Sequence, residues 1–166
     1  MGTTLVVGVF QPDARLVLGH IGDSRCYRLR DNTLQQATRD HSLLQEQLDA
    51  GLITSEQAAV AAHHNLITRA LGVELGVQLE VNEYKVAAND LYLMCSDGLS
   101  DMVDDHTIAA ILARSDSLAS RAQALVDAAH AGGGRDNISV LLVQAGGGGG
   151  GGVERKRSFL SRLVRG

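Results

Sequence analysis

Three aspartates in this chain share one local setting. Asp23 follows Gly22 at the end of a strand-like segment, and Asp97 precedes Gly98 just after another. Asp136 follows Gly132-Gly133-Gly134-Arg135 and leads into a third. Each is a carboxylate on a tight turn at a strand end. A fourth, Asp101, lies four residues after Asp97, so a helical turn starting at Gly98 would point the two side chains the same way. Oxygen ligands of this kind suit hard cations such as Mg²⁺ or Mn²⁺. Aspartate beside glycine is also an ordinary turn former. Spacing alone therefore leaves a metal site and three structural turns both open.

Other reactive residue types read more plainly. His20, at a strand end, could be a ligand or an acid, but a packed, hydrogen-bonded histidine is the commoner case. The adjacent His63-His64 point in different directions and read as a solvated loop. Arg25 could meet a phosphate, although a salt bridge within its turn is the preferred reading, and Arg135 reads as a solvated neighbour of Asp136. Cys26 and Cys95 each sit inside an apolar run and lack metal-ligand spacing, which suggests buried, reduced thiols.

The elements that must position the aspartates can be read from periodicity and punctuation. Leu5–Phe10 and Leu16–Ile21 predict strands around the turn Gln11-Pro12-Asp13. Gly22-Asp23-Ser24 turns into Arg25–Leu29, and Asp31-Asn32 turns into a short strand at Leu34–Ala37, so the first four strands read as an antiparallel meander. His41–Ala50 is helical and stops at Gly51, and Thr54 with Gln57 fits a capping box opening a short helix through Ala62. A further apolar segment, Leu66–Leu71, ends at Gly72. Val77–Val86 alternates like a half-buried strand, and Leu91–Cys95 is a buried one. Asp104–Ala113 and a helix capped by Ser117 are amphipathic, and the second stops at Gly132. Ile138–Val143 is the last strand. The order predicts an α+β fold with helices outside antiparallel sheets.

At 166 residues the chain is the size of one domain, with 45% hydrophobic and 20% charged residues. It has no tryptophan, so the core must be built from Leu, Val, Ile and Ala. No apolar run approaches a membrane span and nothing resembles a signal peptide, so the expected location is cytoplasmic. The division expected is a domain over 1–145, a glycine linker over 146–152 and a tail over 153–166. The tail carries five basic residues (Arg155, Lys156, Arg157, Arg162, Arg165) and one acid, leaving −8 on the remainder of a chain whose net charge is −4. An acidic body argues against nucleic acid as a partner. The tail reads either as disordered or as a basic amphipathic helix for weak contact with a membrane or a partner.

Successive motifs resemble those of PP2C (PPM-type) metal-dependent protein serine/threonine phosphatases. They are Gly2-Thr3-Thr4, His20-Ile21-Gly22-Asp23-Ser24-Arg25, Cys95-Ser96-Asp97-Gly98-Leu99-Ser100-Asp101 and Gly133-Gly134-Arg135-Asp136-Asn137, in the family's order. Between them, Asp40-His41-Ser42 through Gly51-Leu52-Ile53-Thr54, and Ile67-Thr68-Arg69-Ala70-Leu71-Gly72, resemble the bacterial branch and its flap region. The resemblance covers about Met1–Gln144. It implies an α-β-β-α sandwich of two antiparallel sheets flanked by helices. It implies that Asp97 and Asp136 hold two catalytic Mg²⁺ or Mn²⁺ ions, that Asp23 with Asp97 binds a third, and that Asp101 lies in that outer region. The implied activity is hydrolysis of phosphoserine and phosphothreonine on proteins, opposing a serine/threonine kinase, with no protein nucleophile. The family's opening segment, with an Asp-Gly-Met-Gly-Gly-like turn that bridges the catalytic cations, has no counterpart here. The fold is thus expected to be incomplete at its N-terminus, with Met1 an internal methionine of a longer phosphatase. A pseudophosphatase binding module without turnover is the alternative.

Overall fold

The strand-forming segments pair into two antiparallel sheets in the computed structural model, which describes residues 2–54, 56–58, 66–73 and 76–146. One sheet has the order β1 (Leu5–Gln11), β2 (Arg15–Ile21), β5 (Glu80–Lys85). The other runs β4 (Thr33–Gln36), β3 (Arg25–Arg30), β6 (Leu91–Cys95), β7 (Val140–Gln144). The strands and their turns lie close to where the sequence puts them.

The meander does not survive. β1 pairs with β2 and β3 with β4, but β2 and β3 belong to different sheets, so Gly22-Asp23-Ser24 is a crossing between layers. The reason is competition from more distant strands: the free edge of β2 takes β5, and that of β3 takes β6. Gly22 makes the crossing possible. Its φ is +102°, and a Cβ there would fall 2.4 Å from Thr4 Cγ2.

β5 holds a second correction. It is shorter than Val77–Val86, and its alternation faces the other way from a strand that buries its apolar side. Glu80, Asn82 and Tyr84 pair with His20, Leu18 and Leu16 on the face turned to the second sheet. Val81 pairs with Gly19 on the outer face, beside Val7. Val9, Val81 and Leu79 are 52%, 58% and 41% exposed. The resemblance leads one to expect a helical layer on that side; among the described residues these side chains stay open to solvent.

The core lies in two layers. Leu16, Leu18, Cys26 and Tyr92 fill the space between the sheets, with Phe10 set edge-on to Tyr92 at 5.4 Å. On the far side of the second sheet, Tyr27, Leu29, Leu93 and Cys95 meet two helices. These are α3 (Asp105–Leu112), contributing Ile108, Ile111 and Leu112, and α4 (Leu118–Ala131), contributing Leu125 and Ala129. Each fully buried Leu or Ile stabilises this layer by about 1.5–3 kcal/mol. Asp104 caps α3 through Thr107 N, and Ser117 caps α4 through Ser120 N. Two short helices complete the set, α1 (Leu43–Asp49) and α2 (Asp97–Ser100).

The Thr54–Gln57 capping box forms as read: Gln57 N donates to Thr54 Oγ1 and Thr54 N to Gln57 Oε1. The rest of that helix, His63-His64, the glycine tract beyond Gly146 and the basic tail lie outside the described residues. Both cysteines are free and buried, and burial pushes each thiol up to about 12. Cys26 faces the inter-sheet core and Cys95 the helices, so the two point to opposite sides of one sheet and cannot bridge. No helix among the described residues is long and apolar enough to cross a membrane.

Candidate metal centre

The crossing between the sheets places Asp23 beside the end of β6, where Asp97 opens α2. The Asp97 carboxylate accepts from Gly98 N at 2.8 Å, and Asp101 N donates to Asp97 O at 2.8 Å, so Asp97 and Asp101 bracket one helical turn. The loop before β7 brings the Asp136–Asn137 backbone against Gly98. Ser96 Oγ donates to Asn137 O at 3.0 Å and accepts from Ser139 N at 2.9 Å, while Ser96 N donates to Ser139 O at 3.1 Å. Asp136 Oδ1 accepts from Asn137 N, repeating the arrangement at Asp97. Gly98 lets the two turns touch, because a Cβ there would lie 2.4 Å from Asn137 O.

Charge reports the same convergence. Burial first, then the carboxylate of Asp97, push the Asp23 carboxyl up to about 6, with Asp40 and Asp101 adding to the effect. Asp23 and Asp97 are half-buried, whereas Asp101 and Asp136 are exposed. A carboxyl group that holds its proton this tightly beside a like charge offers hard oxygens to a cation that takes the proton's place. The donor set thus fits Mg²⁺ or Mn²⁺.

The turn that carries Asp23 is gripped on both sides. Arg25 donates to Asp40 through Nε at 3.0 Å and Nη2 at 2.6 Å, and Gln36 Nε2 reaches the same carboxylate at 2.8 Å. Arg25 therefore serves its neighbour's carboxylate. Thr4 Oγ1 lies 2.8 Å from Ser24 Oγ, tying the Gly-Thr-Thr motif to the crossing. His20 is packed, as the structural reading of it expects, and donates from Nε2 to Arg39 O at 2.8 Å.

Sequence reasoning passed over the individual parts played by Asp40, His41 and Glu80. Donor atoms of His20, His41 and Glu80 lie within 4.8 Å of one another. The signal for Glu80 was present: an acid on the polar side of an alternating strand, assumed to face water. Nothing in the sequence reveals that this side faces the other sheet.

No family model matches the chain. It is 42% identical over 144 residues to the serine/threonine phosphatase stp of Listeria welshimeri, a match covering 87% of this chain and 57% of that protein. It is 46% identical over 143 residues to the serine/threonine protein phosphatase PstP of Mycobacterium tuberculosis, covering 86% of this chain and 27% of PstP. The crystal structure of the M. tuberculosis phosphatase PstP/Ppp superposes with a TM-score of 0.82 at 43% identity, over 89% of this chain and 61% of that one. The PstP catalytic domain in complex with two manganese ions gives a TM-score of 0.77 at 43% identity, over 87% of this chain and 59% of that one. The chain thus spans less than two thirds of each of these relatives.

Proposed function

The chain carries part of a bacterial PPM-type (PP2C) phosphatase domain, and on that premise we propose that it serves metal-dependent hydrolysis of phosphoserine and phosphothreonine on proteins. The observation that carries the reading is the convergence of Asp23, Asp97 and Asp101 in one field, with the Asp136 turn fastened against Gly98.

Asp97 and Asp136 would hold the two catalytic cations, with Asp23 and Asp97 holding a third and Asp101 in the outer region. Mg²⁺ or Mn²⁺ held by these residues would supply charge stabilisation of a phosphate and a more acidic water. The chain's own groups do the positioning. Gly98 N and Asn137 N each fix one oxygen of the neighbouring carboxylate, and the other oxygen would be the ligand. The Arg25–Asp40 pair holds the Asp23 turn. Cys95 is excluded as a nucleophile by burial, which keeps its thiol protonated.

The substrates are phosphorylated proteins, with a serine/threonine kinase as the opposing enzyme, and the location is cytoplasmic. Residues 1–145 are the phosphatase part, 146–152 a glycine linker, and 153–166 a basic segment for weak contact with a membrane or partner.

The alternative is a module that binds cation and phosphoprotein without turnover. One assay separates the two. The chain is incubated with a phosphothreonine peptide and Mn²⁺, with and without EDTA. Phosphate release that EDTA abolishes is the expected result; peptide binding without release selects the second reading, and neither activity refutes both.

A further inference from the structure

We propose that His41 is the positioning residue of this site: its ring, locked in one tautomer between the Gly22 N–H and the Glu80 carboxylate, holds the turn that carries Asp23. The link to function rests on reading Asp23 as a cation ligand; the geometry stands apart from it.

His41 joins four parts of the fold that are distant in sequence. Its N–H donates to Gly22 O at 2.9 Å, and Gly22 N donates to His41 Nδ1 at 3.2 Å, so one residue takes both backbone groups of Gly22. Thr68 N donates to His41 O at 2.9 Å, which fastens the segment 66–73. Nε2 lies 3.2 Å from Glu80 Oε2 on β5. The ring also stacks on His20, with centroids 4.8 Å apart and planes 18° from parallel. Since Asp40 grips Arg25, two adjacent residues hold the two ends of Gly22-Asp23-Ser24-Arg25. The Asp23 backbone is thereby held on both sides.

The hydrogen-bond roles fix the tautomer. A backbone amide can only donate, so His41 Nδ1 accepts and the ring proton sits on Nε2, where it meets the Glu80 carboxylate. Glu80 is suited to accept it: against the upward push of burial, hydrogen bonds from His41 and Asn82 hold its carboxyl below the ordinary value. His20 is settled in the same way, because Arg39 O can only accept, which puts the His20 proton on Nε2.

This logic tells against the obvious alternative, a second cation between His20, His41 and Glu80. His20 Nδ1 is free for a metal, being buried and without a hydrogen-bond partner among the described residues. His41 Nε2 is not free. To ligate, it must lose its proton while Nδ1 gains one, and an Nδ1–H would face the Gly22 N–H donor to donor. The cluster is arranged to hold a turn.

Two substitutions on the full chain divide His41's roles. His41→Asn keeps an acceptor near the Nδ1 position for Gly22 but loses the donor to Glu80. His41→Gln keeps a donor for Glu80 and loses the acceptor. Three readouts apply: hydrogen exchange of the Gly22 amide, paramagnetic broadening of the Asp23 and Ser24 amides by Mn²⁺, and the long-range ¹H–¹⁵N pattern of the His41 ring. The wild type shows the Nε2–H pattern. His41→Asn keeps Gly22 protection and Mn²⁺ affinity within about threefold, and His41→Gln loses about tenfold of each at comparable melting temperature. An unaffected His41→Gln, equal losses in both variants, an Nδ1–H pattern, or Zn²⁺ shifting both imidazoles together would overturn the proposal. If Mn²⁺ leaves wild-type Asp23 unbroadened while His41→Gln still exposes Gly22, the cation reading fails and the positioning role holds.

Discussion

Asp23, on the crossing between the sheets, lies within electrostatic reach of Asp97 at the end of the other sheet; burial and then that carboxylate push its carboxyl up to about 6. The folded chain therefore holds this proton more tightly than the unfolded chain, where the group titrates near 3.8. In EDTA, stability must fall as pH rises from about 4 through 6 and level off above. Asp23→Asn removes that slope. At pH 7.5 it should stabilise the metal-free protein by about 1 kcal/mol, allowing for solvent screening of a half-exposed group. Melting curves at pH 4.5 and 7.5 measure both effects, and a wild type more stable at the higher pH would contradict them.

Divalent cations should reverse that penalty. Mn²⁺ is expected to raise the melting temperature of the wild type and to broaden amides around Asp97 and Asp136. Asp97→Asn and Asp136→Asn should each weaken binding by more than about tenfold, the loss that outer-shell partners alone can produce. Asp101→Asn should cost less, because its carboxylate is exposed and assigned to the outer region. Calorimetric titration ranks the four.

Gly98→Ala tests the contact that brings the Asp136 turn to Asp97. Its Cβ would lie 2.4 Å from Asn137 O, so the loop before β7 must shift. The expected cost is about 3 kcal/mol together with a weakened Mn²⁺ titration. A stable variant that still binds Mn²⁺ normally would show that the two turns need not touch.

Asp90 anchors the β5–β6 connection and lies outside the site. It accepts from Arg30 Nε at 2.7 Å, Arg30 Nη2 at 2.6 Å, Ala87 N at 2.8 Å and Tyr92 Oη at 3.2 Å. Against the upward push of burial, these bonds hold its carboxyl below the ordinary value. The stabilisation is complete above the unfolded titration near 3.8 and is lost as acid approaches the depressed folded value. Asp90→Ala should cost about 2 kcal/mol by leaving Ala87 N and the buried Tyr92 hydroxyl without their acceptor, without changing Mn²⁺ affinity. Denaturant melts and the same titration check the two halves.

The open face of the first sheet should make the isolated chain bind apolar dyes and self-associate. Val9→Lys and Val81→Lys place charge on side chains 52% and 58% exposed. Together they should lower dye binding by about half and leave the melting temperature within about 2 °C. Light scattering and dye fluorescence report both; unchanged binding would locate the sticky surface elsewhere.

The local elements were legible because their signals are local. Ser117 and Asp104 announce their helices, Gly132 ends one, and the strand turns carry Asp31-Asn32 or Gln11-Pro12-Asp13. What could not be read was pairing. The sequence neighbours β2 and β3 look like a hairpin, and only partners some 60 residues away, β5 and β6, pull them into separate sheets. The orientation of β5 was hidden for the same reason: alternation gives two faces but not which is covered. The aspartates emerged through the order of their motifs. Their spacing alone could not have joined Asp23 to Asp97, and His41 gives no sign in sequence that it holds Gly22.

Asp23 hangs from the seam where the chain passes from one sheet to the other, while Asp97 and Asp136 are rooted in the second. The gap between donor oxygens is thus a gauge of how the two layers are stacked. Repacking Leu18 or Met94, in the core between the sheets, would alter cation affinity by sliding one layer over the other. Tight ion binding would in turn clamp the layers together.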